Sequence, residues 1–295
     1  MKSYAWQKPS YEVGNREGSR LSFEFFPPKD AEGEAQFWRS MEALAAFRPG
    51  FVSVTCGAGG GARQGTVPLV REVMRRTGLP VMAHLPGIGL TEEEVSGHLE
   101  NYAQDGVPMI LALRGDPPAG VSLSDGPFAH ASDLVRFIRQ RMPGFGVGVA
   151  AYPEVHPESP DAATDLAFFR LKVEAGAEVA ITQFFFDNQS YFDFCDTCRR
   201  QGIMVPVIPG ILPVTNYQRL ESFAARCGAR LPPWLVDRLI PIRDDPQAML
   251  AAGIDIAVEQ CRELLDRGAP GLHFFTLNRA NSMVEILSRL GFEGN

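Results

Sequence analysis

The sequence predicts a single (β/α)8 barrel, a TIM barrel, on three observations. Short β-rich runs alternate with segments of helical period from Leu21 to the end of the chain. Eight such units can be counted, and they occupy about 270 residues, the size expected of that fold. Several helical segments also end in a glycine just before the next strand, at Gly78, Gly176, Gly202 and Gly268.

Taken in order, LSFEF (21–25) is the first strand, stopped by Pro27-Pro28, and EAQFWRSMEALAAF is its helix. FVSVT (51–55) precedes VPLVREVMRRTG, and PVMAH (80–84) precedes TEEEVSGHLENYAQ. PMILAL (108–113) leads to ASDLVRFIRQRM, and GVGVAAY (146–152) to AATDLAFFRLKVEAG. VAITQFF (179–185) is followed by SYFDFCDTCRRQG, and VPVIPG (205–210) by a longer helical region from Asn216 to Gly268. LHFFT (272–276) and RANSMVEILSRLG complete the set. Residues 1–20 read as an N-terminal extension and 21–295 as one catalytic barrel. A doubly wound sheet is the alternative, because TCGAGGGA satisfies GxGxxA from Gly57 to Ala62 after a strand. The acidic residue that such a fingerprint wants at the end of the next strand is missing, since that strand ends in MAHLPG. No Lys-Ser/Thr pair follows the glycines, which removes a phosphate loop as well.

Bulk properties exclude some functions. The net charge is −7 and the sequence pI about 5.3, which argues against a nucleic-acid partner or an anionic membrane surface. No apolar stretch is long enough to span a bilayer, and the first residues lack the apolar core of a secretion signal, so a cytoplasmic protein is expected. Five cysteines, an odd number, do not make a disulfide framework. Cys195 and Cys198 form a lone CxxC without a second ligand pair, and read as two free thiols on a helix.

In a barrel of this type, chemistry sits where strands end and βα loops begin. Those ends carry Glu24, Thr55, His84, Arg114-Gly115-Asp116, Tyr152 with Glu154 and His156, Gln183, Thr276 and Asn278-Arg279. The seventh strand instead offers the apolar loop IPGILP. Glu24 is an ionisable group among Leu21, Phe23, Phe25 and Phe26, and such a carboxyl needs a partner or a use. It reads either as a structural ion pair with an Arg or His of a neighbouring strand, or as a proton donor. His84 and His156 read as site groups or as satisfied structural histidines, and Arg114 with Asp116 as a site or a loop brace. Lys172 reads as a site group or as an exposed helical lysine, and Phe184-Phe185-Phe186 as packing rather than a stacking platform. No metal-ligand spacing and no GxSxG motif appear, so neither a metal nor a serine nucleophile is expected.

Six motifs in fixed order, SFEFFPPK, LRGDPP, AAYPEVHPES, ITQFFFDNQSYF, IPGILPVTN and FFTLNRA, closely resemble the methylenetetrahydrofolate reductase family of bacterial type. The resemblance covers about residues 20–292 and is weakest between Gly228 and Gly268. It implies a (β/α)8 barrel holding FAD at the strand ends. It implies that NADH or NADPH reduces the flavin, which then reduces 5,10-methylenetetrahydrofolate to 5-methyltetrahydrofolate by a ping-pong route. By the same resemblance Glu24 is a general acid, kept neutral by Phe23, Phe25 and Phe26, that opens the folate five-membered ring. Asp116 lies near the flavin pyrimidine and pterin, and Gln183 is an amide shared by folate and nicotinamide. Phe223 stacks on substrate, Arg279 meets the folate tail, and Arg219 stands where some relatives carry Gln. FAD is expected at Thr55, His84, Arg114, Gly115, Asp116, Tyr152, His156, Asp165 and Lys172, with His130, Ala131 and Ser132 near the adenosine. Cys56 replaces a usual Tyr, and Pro86-Gly87 replaces a usual Thr-Cys. A homo-oligomer is expected, as is the absence of the regulatory domain by which eukaryotic relatives sense S-adenosylmethionine. Two other readings remain at this stage: the same site working mainly in the oxidative direction, or a folate- or flavin-binding subunit that needs a partner for electrons.

Overall fold

The structure, a computed structural model, describes residues 20–56, 60–116 and 126–294, with the side chains of 60–65 excepted. Most of the expected N-terminal extension and part of the glycine run at 57–62 therefore lie outside the described residues.

Eight parallel strands close in sequence order into a barrel. They are β1 (Leu21–Phe25), β2 (Phe51–Val54), β3 (Val81–Pro86), β4 (Met109–Leu113), β5 (Gly146–Ala151), β6 (Val179–Phe184), β7 (Val207–Ile211) and β8 (Leu272–Phe275). Between them run α1 (Ala31–Ala45), α2 (Gly60–Thr77), α3 (Glu92–Gln104), α4 (Ala131–Arg141), α5 (Ala162–Glu174) and α6 (Asn188–Arg200). The long helical region after β7 resolves into α7 (Tyr217–Cys227), α8 (Pro233–Leu239), a 3-10 turn (Ile240–Ile242) and α9 (Pro246–Asp266), and α10 (Asn281–Arg289) follows β8. Gly228, left-handed at φ 71°, ends α7, which is why one predicted region is several helices.

Alternation along each strand sorts the side chains into two layers. Leu21, Phe23 and Phe25 of β1 join Val52, Val54, Val81 and Ala83 in the large core between barrel and helices. The opposite faces fill the barrel interior with Phe51, Met82, Met109, Leu111, Ile181 and Ile208. Ser22, Glu24, Ser53, His84 and His273 are buried too, at positions that alternate with the outward-facing residues. The barrel thus has an apolar floor and, on its β1–β2–β3–β8 side, a polar interior.

Several helices start on a side-chain cap just above the strand ends: Asp30 accepts from Gly33 N, Asp161 from Thr164 N and Asn216 from Arg219 N. Thr91 and Glu94 form a full capping box on α3. These caps fix where α1, α3, α5 and α7 begin above the strand ends.

Candidate functional site

Glu24 points into the barrel. Its carboxylate Oε2 lies 3.4 Å from His84 Nε2 and 3.6 Å from His273 Nε2, and all three side chains are nearly inaccessible. The expected shielding by phenylalanines is corrected here: Phe23 and Phe25 lie on the other face of the sheet, and Phe26 is 37% exposed. Residues adjacent in a strand face opposite sides, so the neighbours of Glu24 come from β3 and β8. The partner anticipated from a neighbouring strand is His273 of β8, and His84 reaches Glu24 from β3, one strand further round the barrel.

His273 was not among the residues singled out from sequence. Its Nδ1 is 2.8 Å from Ser22 Oγ, its ring stacks on Phe51 at 6.1 Å, and register pairs it with Ser22. The signal is present in LHFFT, since His273 has the parity of an inward-facing position, but it lies one turn of the pleat below the strand end where polar site groups are expected. Burial lowers the pKa of His84, the nearby His273 lowers it further, and Glu24 opposes both.

A second cluster forms at the ends of β4 and β5 and on α5. The Arg114 guanidinium is bidentate to Glu158, whose carboxyl is thereby held below its usual range, while the same bond raises the Arg114 pKa. Tyr152 packs edge-on against His156 at 4.5 Å, and burial pushes the phenol up to about 12. His156 is lowered by burial, and its Nδ1 accepts from Glu158 N at 3.1 Å. Asp165 accepts from Ser159 Oγ at 2.9 Å. Lys172 donates to the carbonyl of Ala150 at 2.6 Å, and burial lowers its pKa to about 8 against the opposing pull of Asp165. Asp116 is exposed, close enough for its charge to raise both Arg114 and Tyr152. Gly115 takes a left-handed φ of 85°, where a Cβ would lie 2.8 Å from Pro86. On the neighbouring helices, His130 precedes α4 and stacks on Phe168 of α5 at 5.5 Å, while Ala131 and Ser132 form the first turn. Arg114, Tyr152, His156, Asp165 and Lys172, which the family resemblance groups, lie together in this cluster; Glu158 and Ser159, which hold two of its members, were not singled out.

Gln183 occupies an irregularity in the sheet. The β6–β7 register shifts between Ile181 and Phe184, and Gly210 N turns to donate to Thr182 Oγ1 at 2.8 Å. Gln183 Oε1 accepts from the amide of Phe184 at 3.0 Å, and its side chain lines a small cavity with Tyr152, Glu154 and Gly228. Glu154 is bound by the amide and guanidinium of Arg230, so its role at the rim is to tie the β5 loop to the segment after α7. Phe223 is half-buried under the Arg226 guanidinium at 4.9 Å. Arg219 and Arg279 are exposed. Thr55 is buried and its amide donates to Phe25 O at 2.9 Å. Thr276 and Asn278 serve the frame: Thr276 Oγ1 donates to Glu24 O at 2.5 Å, and the Asn278 amide clamps both backbone groups of Phe26. The phenylalanine run is packing, with Phe185 stacked on Tyr191 at 5.6 Å. Cys195 and Cys198 are buried free thiols on α6, both raised by burial.

The closed barrel and the acid–imidazole group inside it describe a (β/α)8-barrel enzyme. The family model for methylenetetrahydrofolate reductase matches residues 12–291. The chain is 42% identical over 271 residues to 5,10-methylenetetrahydrofolate reductase of Escherichia coli (strain K12), covering 92% of this chain and 90% of that one. It is 37% identical to methylenetetrahydrofolate reductase (NADH) 1 of Arabidopsis thaliana, over 92% of this chain and 48% of the plant one. A solved protein of Clostridium thermocellum, described as binding two copies of 5-methyl-5,6,7,8-tetrahydrofolic acid, has a TM-score of 0.61 at 16% identity. That alignment covers 94% of this chain and 96% of the other, and at such identity it speaks to the fold. The chain belongs to the methylenetetrahydrofolate reductase family and is an enzyme of that kind. No helix among the described residues is long and apolar enough to cross a membrane.

Proposed function

We propose that the chain reduces 5,10-methylenetetrahydrofolate to 5-methyltetrahydrofolate with NADH or NADPH, through FAD held at the barrel mouth, in a ping-pong cycle. The observation that carries the reading is Glu24, a carboxyl aimed inward at the end of β1 with an imidazole on either side.

The residues present fit FAD. Lys172 keeps a half-buried ammonium against one carbonyl and a nearby carboxylate, with its pKa depressed, so a pyrophosphate arriving there would restore the balance of charge. Arg114 is the second cation, and Glu158 holds its fork until an anion competes for it. Gly115 lets the backbone approach closely where a side chain would collide with Pro86. Thr55, His84, Tyr152, His156 and Asp165 complete that lining, with His130, Ala131 and Ser132 toward the adenosine and Asp116 toward the ring. FAD, when bound, stores two electrons between a nicotinamide and a folate.

The chain's own part is proton transfer and orientation. Glu24 gives a proton to the folate ring amine, the C–N bond opens to a 5-iminium cation, and that carbon becomes able to accept hydride. Gln183 offers a donor and an acceptor to either substrate in turn. Phe223 supplies a stacking face, and Arg219 and Arg279 supply positive charge for the anionic folate tail.

Two measurements test the reading. The purified protein should carry one FAD per chain, and a protein that gains no flavin spectrum on incubation with FAD would refute the cofactor. Glu24→Gln should retain NADH-driven flavin reduction and lose folate reduction by about a hundredfold or more, the scale of general acid catalysis.

A further inference from the structure

The CxxC pair of α6 has no part in the site at the barrel mouth. Cys195 and Cys198 stand one helical turn apart, so their side chains leave the same face of α6, with Cβ atoms about 5–6 Å apart. Both are buried free thiols, and both line a cavity of about 220 Å³. The cavity lies beside the C-terminal half of α6, where the chain enters β7 and, further on, β8. It is therefore at the N-terminal ends of the strands, on the face opposite the mouth.

A third sulfur stands at its opening. Met204 lines the same cavity and is 74% exposed, so its flexible thioether can turn toward the thiols without leaving a core. The Tyr191 hydroxyl donates to the carbonyl of Val207 at 2.8 Å, which directs its proton away from the sulfurs. Arg199 is the charged side chain of the lining, and no His, Asp or Glu among the described residues joins it.

That donor set selects the ligand. Zinc takes four ligands of nitrogen, sulfur or oxygen, and hard cations take oxygen. No group of three His, Cys, Asp or Glu able to hold a metal ion occurs among the described residues. Thiolate and thioether together suit a soft ion of low coordination number. We propose that Cys195, Cys198 and Met204 form a sulfur-only site for one soft monovalent cation of the Cu(I) class, on the face of the barrel remote from the reaction. On binding, each thiol gives its proton to solvent, two sulfur–metal bonds form, and nothing is oxidised or reduced. Two thiolates around one monovalent ion leave a surplus negative charge, and the Arg199 guanidinium at the cavity offsets it. Burial pushes the Cys195 thiol up to about 11 and the Cys198 thiol up to about 12, and the Arg199 charge opposes the rise in both. Without metal the pair is therefore neutral at ordinary pH, as its burial requires. The other titratable groups that face it, Tyr191 and Asp196, also belong to α6, and the segments before β7 and β8 bring none to the cavity.

The test titrates the full chain, reduced and free of oxygen, against the Cu(I)–bicinchoninate chelate. Wild type should withdraw one more equivalent of Cu(I) than the double variant Cys195→Ser/Cys198→Ser. Its affinity should rise about a hundredfold per pH unit between pH 6 and pH 8, because two protons leave. Met204→Leu, a change at an exposed side chain, should weaken binding by about tenfold. Copper-edge X-ray absorption of wild type loaded with one equivalent should show a shell of sulfur alone, a measurement that stands even where the double variant fails to fold. Equal uptake by a folded double variant, a tenfold pH slope, nitrogen or oxygen in the shell, or wild-type affinity in Met204→Leu overturns the three-sulfur site.

Discussion

Lys172 carries its charge to a half-buried place with one carbonyl acceptor, and the consequence is measurable without any ligand. Its folded-state pKa is lowered to about 8, whereas an unfolded lysine keeps its proton to about 10.4. Between those values the unfolded chain binds more protons, so this group's contribution to stability rises with pH. Below about pH 8 both states are charged and the folded protein bears the full cost of burying the ammonium. Wild type should therefore gain about 3 kcal/mol relative to Lys172→Met between pH 7 and pH 10.5. Denaturant midpoints of the two proteins across that range check it, and a gap independent of pH would mean an ordinarily solvated amine. The same scale shows what the sequence made legible. Glu24, His84 and Arg114 could be picked out because each is a chemically costly residue at a predicted strand end, whereas Lys172 gained its place only from the family resemblance. Their partners could not, since Glu158 and His273 lie 44 and 249 positions from the residues they hold, and only strand register brings His273 beside Glu24.

Elements place these side chains through two local irregularities. At the β6–β7 pairing, a Cβ on Gly210 would lie 2.3 Å from Thr182 O and 2.7 Å from the Phe275 ring, so neither backbone nor ring can yield cheaply. Gly210→Ala should destabilise the fold by about 3 kcal/mol and disturb Gln183, which sits in the shifted segment. Chemical denaturation reads the first effect, and unchanged stability would show that the strands separate without cost. At the turn after β8, Leu277 and Asn278 are both left-handed, at φ 47° and 57°, a conformation that costs non-glycine residues energy. Asn278 offsets that cost by accepting from Phe26 N at 2.9 Å and donating to Phe26 O at 2.8 Å, which pins the end of β1 just beyond Glu24. Asn278→Ala should cost about 2–3 kcal/mol in the same measurement, from two lost bonds in a strained turn. The sequence placed all eight strands within about two residues because each is a short β-rich run between helical segments. It could not show the register shift, which depends on how Thr182 and Gly210 meet across strands.

For the whole molecule, the decisive property is that the barrel closes around one mouth. All eight strands run parallel, so every strand's C-terminal end opens on the same face, and the Glu24 array, the Arg114–Lys172 cluster and Gln183 share it. Met82, Met109, Ile181 and Ile208 fill the barrel interior with apolar side chains. If one FAD occupies the Arg114–Lys172 side, nicotinamide and folate must use the remaining part of that mouth in turn, with Gln183 meeting both. Initial rates with NADH and methylenetetrahydrofolate varied together should then give parallel double-reciprocal lines, the mark of a ping-pong cycle. Gln183→Glu adds a test of the shared contact, because an ionised carboxylate accepts but does not donate. That variant should slow the folate half-reaction in stopped-flow by about tenfold while holding FAD as wild type does. Intersecting lines would require both substrates on the enzyme at once, which a single shared face does not allow, and would remove Gln183 from its role in both half-reactions.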